Sequence, residues 1–360
     1  MKKPLIIDAH EDLAYNAVVL GLDPRLAAQD KRQPANPGAS TQPGDVPRAS
    51  VPMVGVPNLL DGNVRVVFGT LYASPAKSSL KLPGRGYTTA EQAETMAREQ
   101  LAYYARLAQA DPRVSLIRNQ GDLELVIAAE EPRLGLVVLM EGADPIVRPE
   151  DAGRWFADGV RIVGTSWGAT RYAGGTGAPG PLTALGRALM PELAAAGLIL
   201  DTSHMAEASF FEALDLFPGT VIASHSNVRA LVPTDRQLSD DMIRALVARD
   251  AVIGAVLYNK FLQAGWVEAG AHKAAVPLSV AVAHMQHICD LAGDALHVGI
   301  GSDFDGGFGT ESAPSEIDTV DDLYRVGDAL AAAHFSDSAI EQVLSGNWLR
   351  LLRRALPSGG

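Results

Sequence analysis

Near-continuous apolar runs recur along the chain, each ending in polar residues: PLIIDAHED, VRVVFGTLY, LGLVVLMEG, VRIVGTSW, LILDTSH, VIASHS, AVIGAVLY and HVGIGSDFD. Runs rich in β-branched residues and without in/out alternation mark strands covered on both faces, as in a parallel sheet wrapped by helices. Between them the apolar spacing changes to a helical period, in TTAEQAETMAREQLAYYARLAQA, PLTALGRALMPELAAAG, MAEASFFEALDLF, SDDMIRALVARD and SVAVAHMQHICDLAG. Eight such alternations within about 300 residues predict a (β/α)8 barrel rather than an open doubly wound sheet. A barrel of this kind places its chemistry at the C-terminal ends of the strands.

The first strand begins near residue 5, which leaves no room for a separate N-terminal domain, so residues 1–360 read as a single barrel. Three stretches rich in proline, glycine and polar residues, at about 21–62, 74–88 and 171–181, read as long βα loops over the mouth. The tail, 355–360, is expected to be disordered. No internal repeat at a short fixed period is present.

Charge narrows the partners. Lysine and arginine total 30 against 42 aspartates and glutamates, a net charge of −12. Such a surface repels phosphate, so neither nucleic acid nor an anionic membrane is an expected partner. The one cysteine, Cys289, lies in a helical pattern and reads as a small buried hydrophobe; no intrachain disulfide can form. The N-terminal MKKPLII is broken by Asp8, His10, Glu11 and Asp12 too early for a secretion signal, and no apolar run approaches the roughly 18 residues of a membrane span. A soluble, cytoplasmic protein is expected.

The strand ends carry the candidate chemistry. His10 and Asp12 are two apart at the end of the first strand, so both side chains can face the mouth. Glu141 ends the third run, where a buried carboxylate is costly unless a cation compensates. His204 and His225 end the fifth and sixth runs, and Asp303 and Asp305 close the eighth. Asp305 reads either as support for the site or as a cap on its loop. Three histidines and several carboxylates at corresponding strand ends point to a metal centre. Nitrogen and oxygen donors without thiolates suit zinc, and also cobalt, manganese or iron. The number of donors suggests two ions, with Glu141 able to bridge them, and metal-assisted hydrolysis is the natural reaction class. Arg236, eleven residues after His225, offers a planar fork for a carboxylate.

The ordered set DAHEDL, LMEGAD, LDTSHM, ASHSN, Arg236 and GSDFDGG resembles the membrane (renal) dipeptidase family, the M19 metallopeptidases, from the first strand to the final helix near NWLRLL. The resemblance implies a binuclear zinc site on a (β/α)8 barrel, a small dipeptide substrate and a homodimer. Carried over by position, His10 and Asp12 would hold one zinc, His204 and His225 the other, and Glu141 both. A bridging hydroxide would attack the dipeptide carbonyl. Asp303 matches the family's acid/base aspartate, Arg236 the arginine that grips the C-terminal carboxylate, and Tyr258 a tyrosine near the substrate. Where many members have a histidine after the fourth strand, in a Thr-His-Ser context, this chain has Trp167. An indole donates one hydrogen bond but carries no imidazolium charge; a one-residue shift would bring Ser166 or Thr165 there instead.

The resulting expectation is a dizinc dipeptidase acting on substrates with a free C-terminal carboxylate, L,D-dipeptides included. The alternatives are an amidohydrolase of N-acyl amino acids or other small amides, and a metal-binding homologue with little catalysis. Other features read as structural. His284 and His287 are spaced for chelation but lie on a helix expected outside the barrel, and His272, His297 and His334 lack partners in pattern. Gly174-Gly175-Thr176-Gly177 lacks the lysine of a phosphate loop and reads as a flexible mouth loop. Ser224 lacks the glycine context of a nucleophile elbow.

Overall fold

The computed structural model describes residues 3–32, 50–76, 86–267 and 273–359; His272 lies outside them. All eight apolar runs form parallel strands: β1 (Ile6–Glu11), β2 (Val64–Tyr72), β3 (Leu134–Glu141), β4 (Val160–Gly164), β5 (Ile199–Asp201), β6 (Val221–Ile222), β7 (Ile253–Ala255) and β8 (Val298–Ile300). They pair in the order β7-β8-β1-β2-β3-β4-β5-β6. Ala223, just past β6, closes the ring against β7: its amide donates to the Val252 carbonyl at 3.1 Å and its carbonyl accepts from Gly254 at 2.8 Å. The expected barrel is therefore observed.

Strand alternation divides the apolar residues into two layers. Val67, Leu136, Val138, Val163 and Leu200 belong to the cluster shared with the surrounding helices, including Tyr104, Trp155 and Phe210. Val66, Phe68, Val137, Leu139, Ile162, Ile199 and Ile222 form a second cluster with Trp348, Leu351 and Leu352 of the last helix, Asn347–Ala355. That helix plugs the end of the barrel opposite the mouth. Trp348 is fully buried, packs edge-on to Phe68 at 5.1 Å and donates its indole N–H to the Ile300 carbonyl at 3.0 Å. The fit requires glycine at 299, where a Cβ would lie 2.2 Å from the indole nitrogen.

Local signals set the helix starts. The helix Ala90–Ala110 begins at a capping box, with Thr89 accepting from Gln92 and the Gln92 side chain returning to the Thr89 amide. The pattern reading missed a three-residue strand, Val114–Leu116, paired to β3, and the helix Gln120–Ile127 that follows it. A strand that short has too few residues to show a period.

Two loop expectations need correction. The stretch read as a flexible loop contains an antiparallel hairpin, Ala173–Gly175 with Ala178–Leu182. The tail is not loose as far as it is described: Leu356 is buried, and the Pro357 carbonyl accepts from the Gln120 amide at 3.0 Å. Apolar burial of one leucine and a helix N-terminal amide in need of an acceptor outweigh the low-complexity composition. Cys289 is buried, as expected. Among the described residues no helix is long and apolar enough to cross a membrane.

Removing the plug tests this account. Trp348→Ala is expected to lower the unfolding free energy by about 3–5 kcal/mol through loss of packing and the cavity left behind. Equilibrium denaturation measures it, and a cost below about 1 kcal/mol would refute a sealing role for the helix.

Candidate metal centre

Strand register puts the candidate residues on one level. Tyr72 pairs with Glu141, Glu141 with Gly164, Gly164 with Asp201, and Asp201 with Ile222. His204 and His225 follow within three residues of that level, and His10, Asp12 and Asp303 reach it from β1 and β8. All of these groups are buried except His204, whose side chain is 9% exposed.

The distances describe a convergent donor set. The Nε2 atoms of His204 and His225 are 2.9 Å apart. Glu141 divides its oxygens: Oε1 lies 3.3 Å from His204 Nε2 and 3.5 Å from His225 Nε2, while Oε2 lies 3.8 Å from His10 Nε2. Asp303 Oδ1 is 3.7 Å from His10 Nε2, and His10, Asp12 and Asp303 form a second group whose ligand atoms all lie within 4.8 Å of one another.

A layer of hydrogen bonds behind these groups sets which nitrogen is free. Ser224 Oγ donates to Asp201 Oδ2 at 2.6 Å, which leaves its lone pairs to accept from His225 Nδ1, 2.8 Å away. Asp201 is itself fixed by the amides of Ser203 at 3.0 Å and Ser224 at 2.8 Å. His204 Nδ1 lies 3.0 Å from Thr176 Oγ1. With protons on both Nδ1 atoms, the two Nε2 lone pairs face each other and the Glu141 carboxylate, an arrangement that is repulsive without a cation between them. Neither ring nitrogen of buried His10 has a hydrogen-bond partner, which is also costly unless a ligand is taken. The donors present therefore fit divalent metal.

Electrostatics agree. Burial pushes His10 down to about 3 and also lowers His204 and His225, with Arg236 adding to each shift, so all three imidazoles are neutral. Burial raises Asp12 to about 6, against a lowering hydrogen bond from Thr70. Glu141 and Asp303 are raised well above the carboxylate range by burial and by Asp12, with Arg236 opposing.

The other candidates surround this centre. Arg236 is buried; its Nη2 donates to the His225 carbonyl at 2.6 Å and its Nη1 to Ser226 Oγ at 3.3 Å, while Nε–H has no partner. The Phe261 ring lies 5.2 Å from its guanidinium, and Tyr258 packs on Phe261 at 4.9 Å and stacks on Phe308 at 4.3 Å. Trp167 is half-buried, 6.1 Å from the His204 ring and 5.4 Å from Tyr72. Asp305 takes the loop role of its two readings: its oxygens accept from the amides of Met53 at 2.9 Å and Val54 at 3.0 Å, which ties the first mouth excursion to β8. His284 is buried between Val228 N and Leu262 O, and His287 pairs with Asp240.

Sequence reading passed over Asp201, Thr176 and Thr70, which orient ligands rather than supply them. Asp201 had a visible signal, a carboxylate at the end of an apolar run, as Glu141 did.

A family model described as membrane dipeptidase (peptidase family M19) matches residues 1–357. An uncharacterized protein in the pqqA 5' region of Klebsiella pneumoniae is 32% identical over 266 residues, 71% of this chain and 94% of its own. The crystal structure of the dipeptidase AC, an M19 metallopeptidase, aligns with a TM-score of 0.79 at 22% identity, covering 99% of this chain and 100% of that one. A metallopeptidase from Rhodobacter sphaeroides, liganded with a phosphinate mimic of the dipeptide L-Ala-D-Ala, gives the same score and identity over 98% and 100%. At these identities the two structures speak for the fold.

The shifts fix the sign of a pH effect. Asp12, held up to about 6, must lose a proton to become a ligand, as must Glu141, whereas His10, at about 3, is already unprotonated above pH 5. Affinity for a divalent ion is therefore expected to rise with pH through about 6, with protons released on binding. Titration calorimetry in two buffers of different ionisation enthalpy measures both; an affinity that is flat from pH 5 to 8 would refute carboxyl control.

Proposed function

We propose that this chain, which belongs to the membrane dipeptidase family, peptidase family M19, hydrolyses dipeptides with a free C-terminal carboxylate at a site holding two divalent ions, zinc in the first place. Family membership makes the chain a metal-dependent hydrolase of the dipeptidase class; the number and identity of the ions, and the residue roles below, are our reading. The observation that carries it is the division of Glu141. One oxygen faces His204 and His225 while the other faces His10, as a carboxylate shared by two ions must.

His10 and Asp12 would hold one ion, His204 and His225 the other, and Glu141 both. When bound, such a pair polarises the scissile carbonyl and lowers the pKa of water. The chain's own residues do the rest. Asp303, beside His10, takes the proton of the attacking water and passes it to the leaving amine nitrogen. Its buried position favours holding that proton, and Arg236 keeps the ionised form accessible. Arg236 is braced by the His225 carbonyl and Ser226, and its unpartnered Nε–H and remaining N–H groups are left for a substrate carboxylate. The aromatic group of Tyr258, Phe261 and Phe308 backs the guanidinium and shields it from water.

We include L,D-dipeptides in the proposed range, with support from the L-Ala-D-Ala mimic bound by the Rhodobacter protein of the same fold. A second reading, hydrolysis of N-acyl amino acids, is favoured by Trp167. Its half-buried indole near His204 offers an apolar surface to an acyl group. Both readings keep the carboxylate clamp, and rates on L,L- and L,D-dipeptides against N-acyl amino acids separate them.

Two substitutions test the roles. Asp303→Asn is expected to lower kcat by about 10²–10⁴-fold on every substrate while metal content is retained; an unchanged kcat would remove the proton-transfer assignment. Arg236→Ala is expected to raise KM for free-carboxylate dipeptides and leave C-terminally amidated analogues little affected. An equal effect on both substrate types would refute the clamp.

A further inference from the structure

The glycine run read from sequence as a flexible loop forms the hairpin whose tip touches the segments that follow three successive strands, β4, β5 and β6. We propose that this tip, Thr176 and Gly177, is a positioning element that couples the metal ligand His204 to the loop carrying Arg236; the proposal rests on the roles assigned to those two residues above.

Three hydrogen bonds define the coupling. Thr176 Oγ1 lies 3.0 Å from His204 Nδ1. The Thr176 amide donates to the Trp167 carbonyl, beyond β4, at 3.2 Å. The Gly177 amide donates to Asp235 Oδ2 at 2.7 Å, one residue before Arg236. His204 Nε2 faces His225 and Glu141, so a cation there needs the imidazole proton on Nδ1, and the Thr176 hydroxyl is the group placed to accept it. Thr176 thus selects the ligating tautomer and ring angle, while the next residue steadies the clamp loop.

The hairpin is rigid enough for this task. Gly175 bridges to Met205, and the Gly174 carbonyl accepts from the Ala206 amide at 3.1 Å and from Ser166 Oγ at 2.9 Å. Ser209 Oγ holds both strands, accepting from the Gly174 amide at 3.1 Å and donating to the Gly180 carbonyl at 2.8 Å. Close packing accounts for the glycines: a Cβ on Gly175 would lie 2.3 Å from the Gly168 carbonyl oxygen. Gly177 has φ +69°, which disfavours any side chain at the tip. His204 itself is held at φ 65°, so a ligand in a disfavoured backbone state is braced through its side chain.

The test uses the full chain loaded with zinc. Zinc affinity is read by competition with a chromophoric chelator, and KM and kcat are read on a free-carboxylate dipeptide. Thr176→Val is expected to weaken zinc binding by about 10- to 100-fold, with Thr176→Ser restoring it. Asp235→Ala is expected to keep zinc affinity and raise KM roughly tenfold with kcat little changed. His204→Ala and Arg236→Ala are the controls for the roles themselves. Wild-type zinc affinity in Thr176→Val while His204→Ala loses zinc would overturn the tautomer role, as would equal losses in the Val and Ser variants. Unchanged KM in Asp235→Ala while Arg236→Ala raises it would overturn the coupling to the clamp. If the two controls themselves behave as wild type, the roles of His204 and Arg236 fail, and the proposal with them.

Discussion

The buried carboxyl groups Asp12, Glu141, Asp201 and Asp303 crowd one end of the barrel, with Asp8, Glu11 and Asp305 also buried beside them and Arg236 as the guanidinium among them. In a low-dielectric site, like charges at such separations repel strongly and burial penalises each one further. Without added charge, burial shifts Asp12, Glu141 and Asp303 upward, and the Asp12 charge adds to the shift of the other two, so the site favours holding protons. Divalent ions reverse that outcome by taking the place of the protons.

Keeping such a site in place falls to the parts of the chain that do no chemistry. His204, Asp303 and Asp305 all sit at positive φ, at 65°, 63° and 58°, and each such residue costs of order 1–3 kcal/mol. The strain persists because neighbours over-determine it. Asp305 is held by two backbone amides of the first mouth excursion, and the chain around His204 by Asp201 and the serines it binds. Beneath them the barrel interior is sealed by Trp348, so the strand ends have a packed floor to push against.

The barrel was legible because all eight strands are covered on both faces and therefore appear as unbroken apolar runs. The candidate donors stood out for the opposite reason: polar groups such as Glu141 end those runs, where burial demands an explanation. What lay beyond reach were relations between distant segments. Nothing near Thr176 in the chain shows that its hydroxyl meets His204, and a glycine run reads as looseness until the backbones it admits are seen. Gly174 and Gly175 are glycine because chains pass too close for a Cβ, and the same composition serves rigidity here and flexibility elsewhere. Asp305 illustrates the intermediate case. Its position suggested a role at the mouth, but only its partners, Met53 and Val54, show that it fastens a loop.

Trp167 is where resemblance and geometry pull apart. The family pattern offers a histidine there, able to place charge near the substrate oxygen, and an indole has none to give. The ring instead completes an aromatic wall, 5.4 Å from Tyr72, which in turn lies 5.2 Å from Tyr15. Its carbonyl anchors the hairpin tip that braces His204. The backbone of residue 167 thus serves the ligand shell whatever its side chain, and the side chain is free to vary with the substrate. In the proposed mechanism, negative charge developing on the substrate oxygen would be met by the ions that Glu141 and the histidines would hold, in a site that the wall would help to keep dry. On the proposed reading, an apolar wall in place of a polar donor would change which substrates fit beside the centre before it changed how the bond is broken.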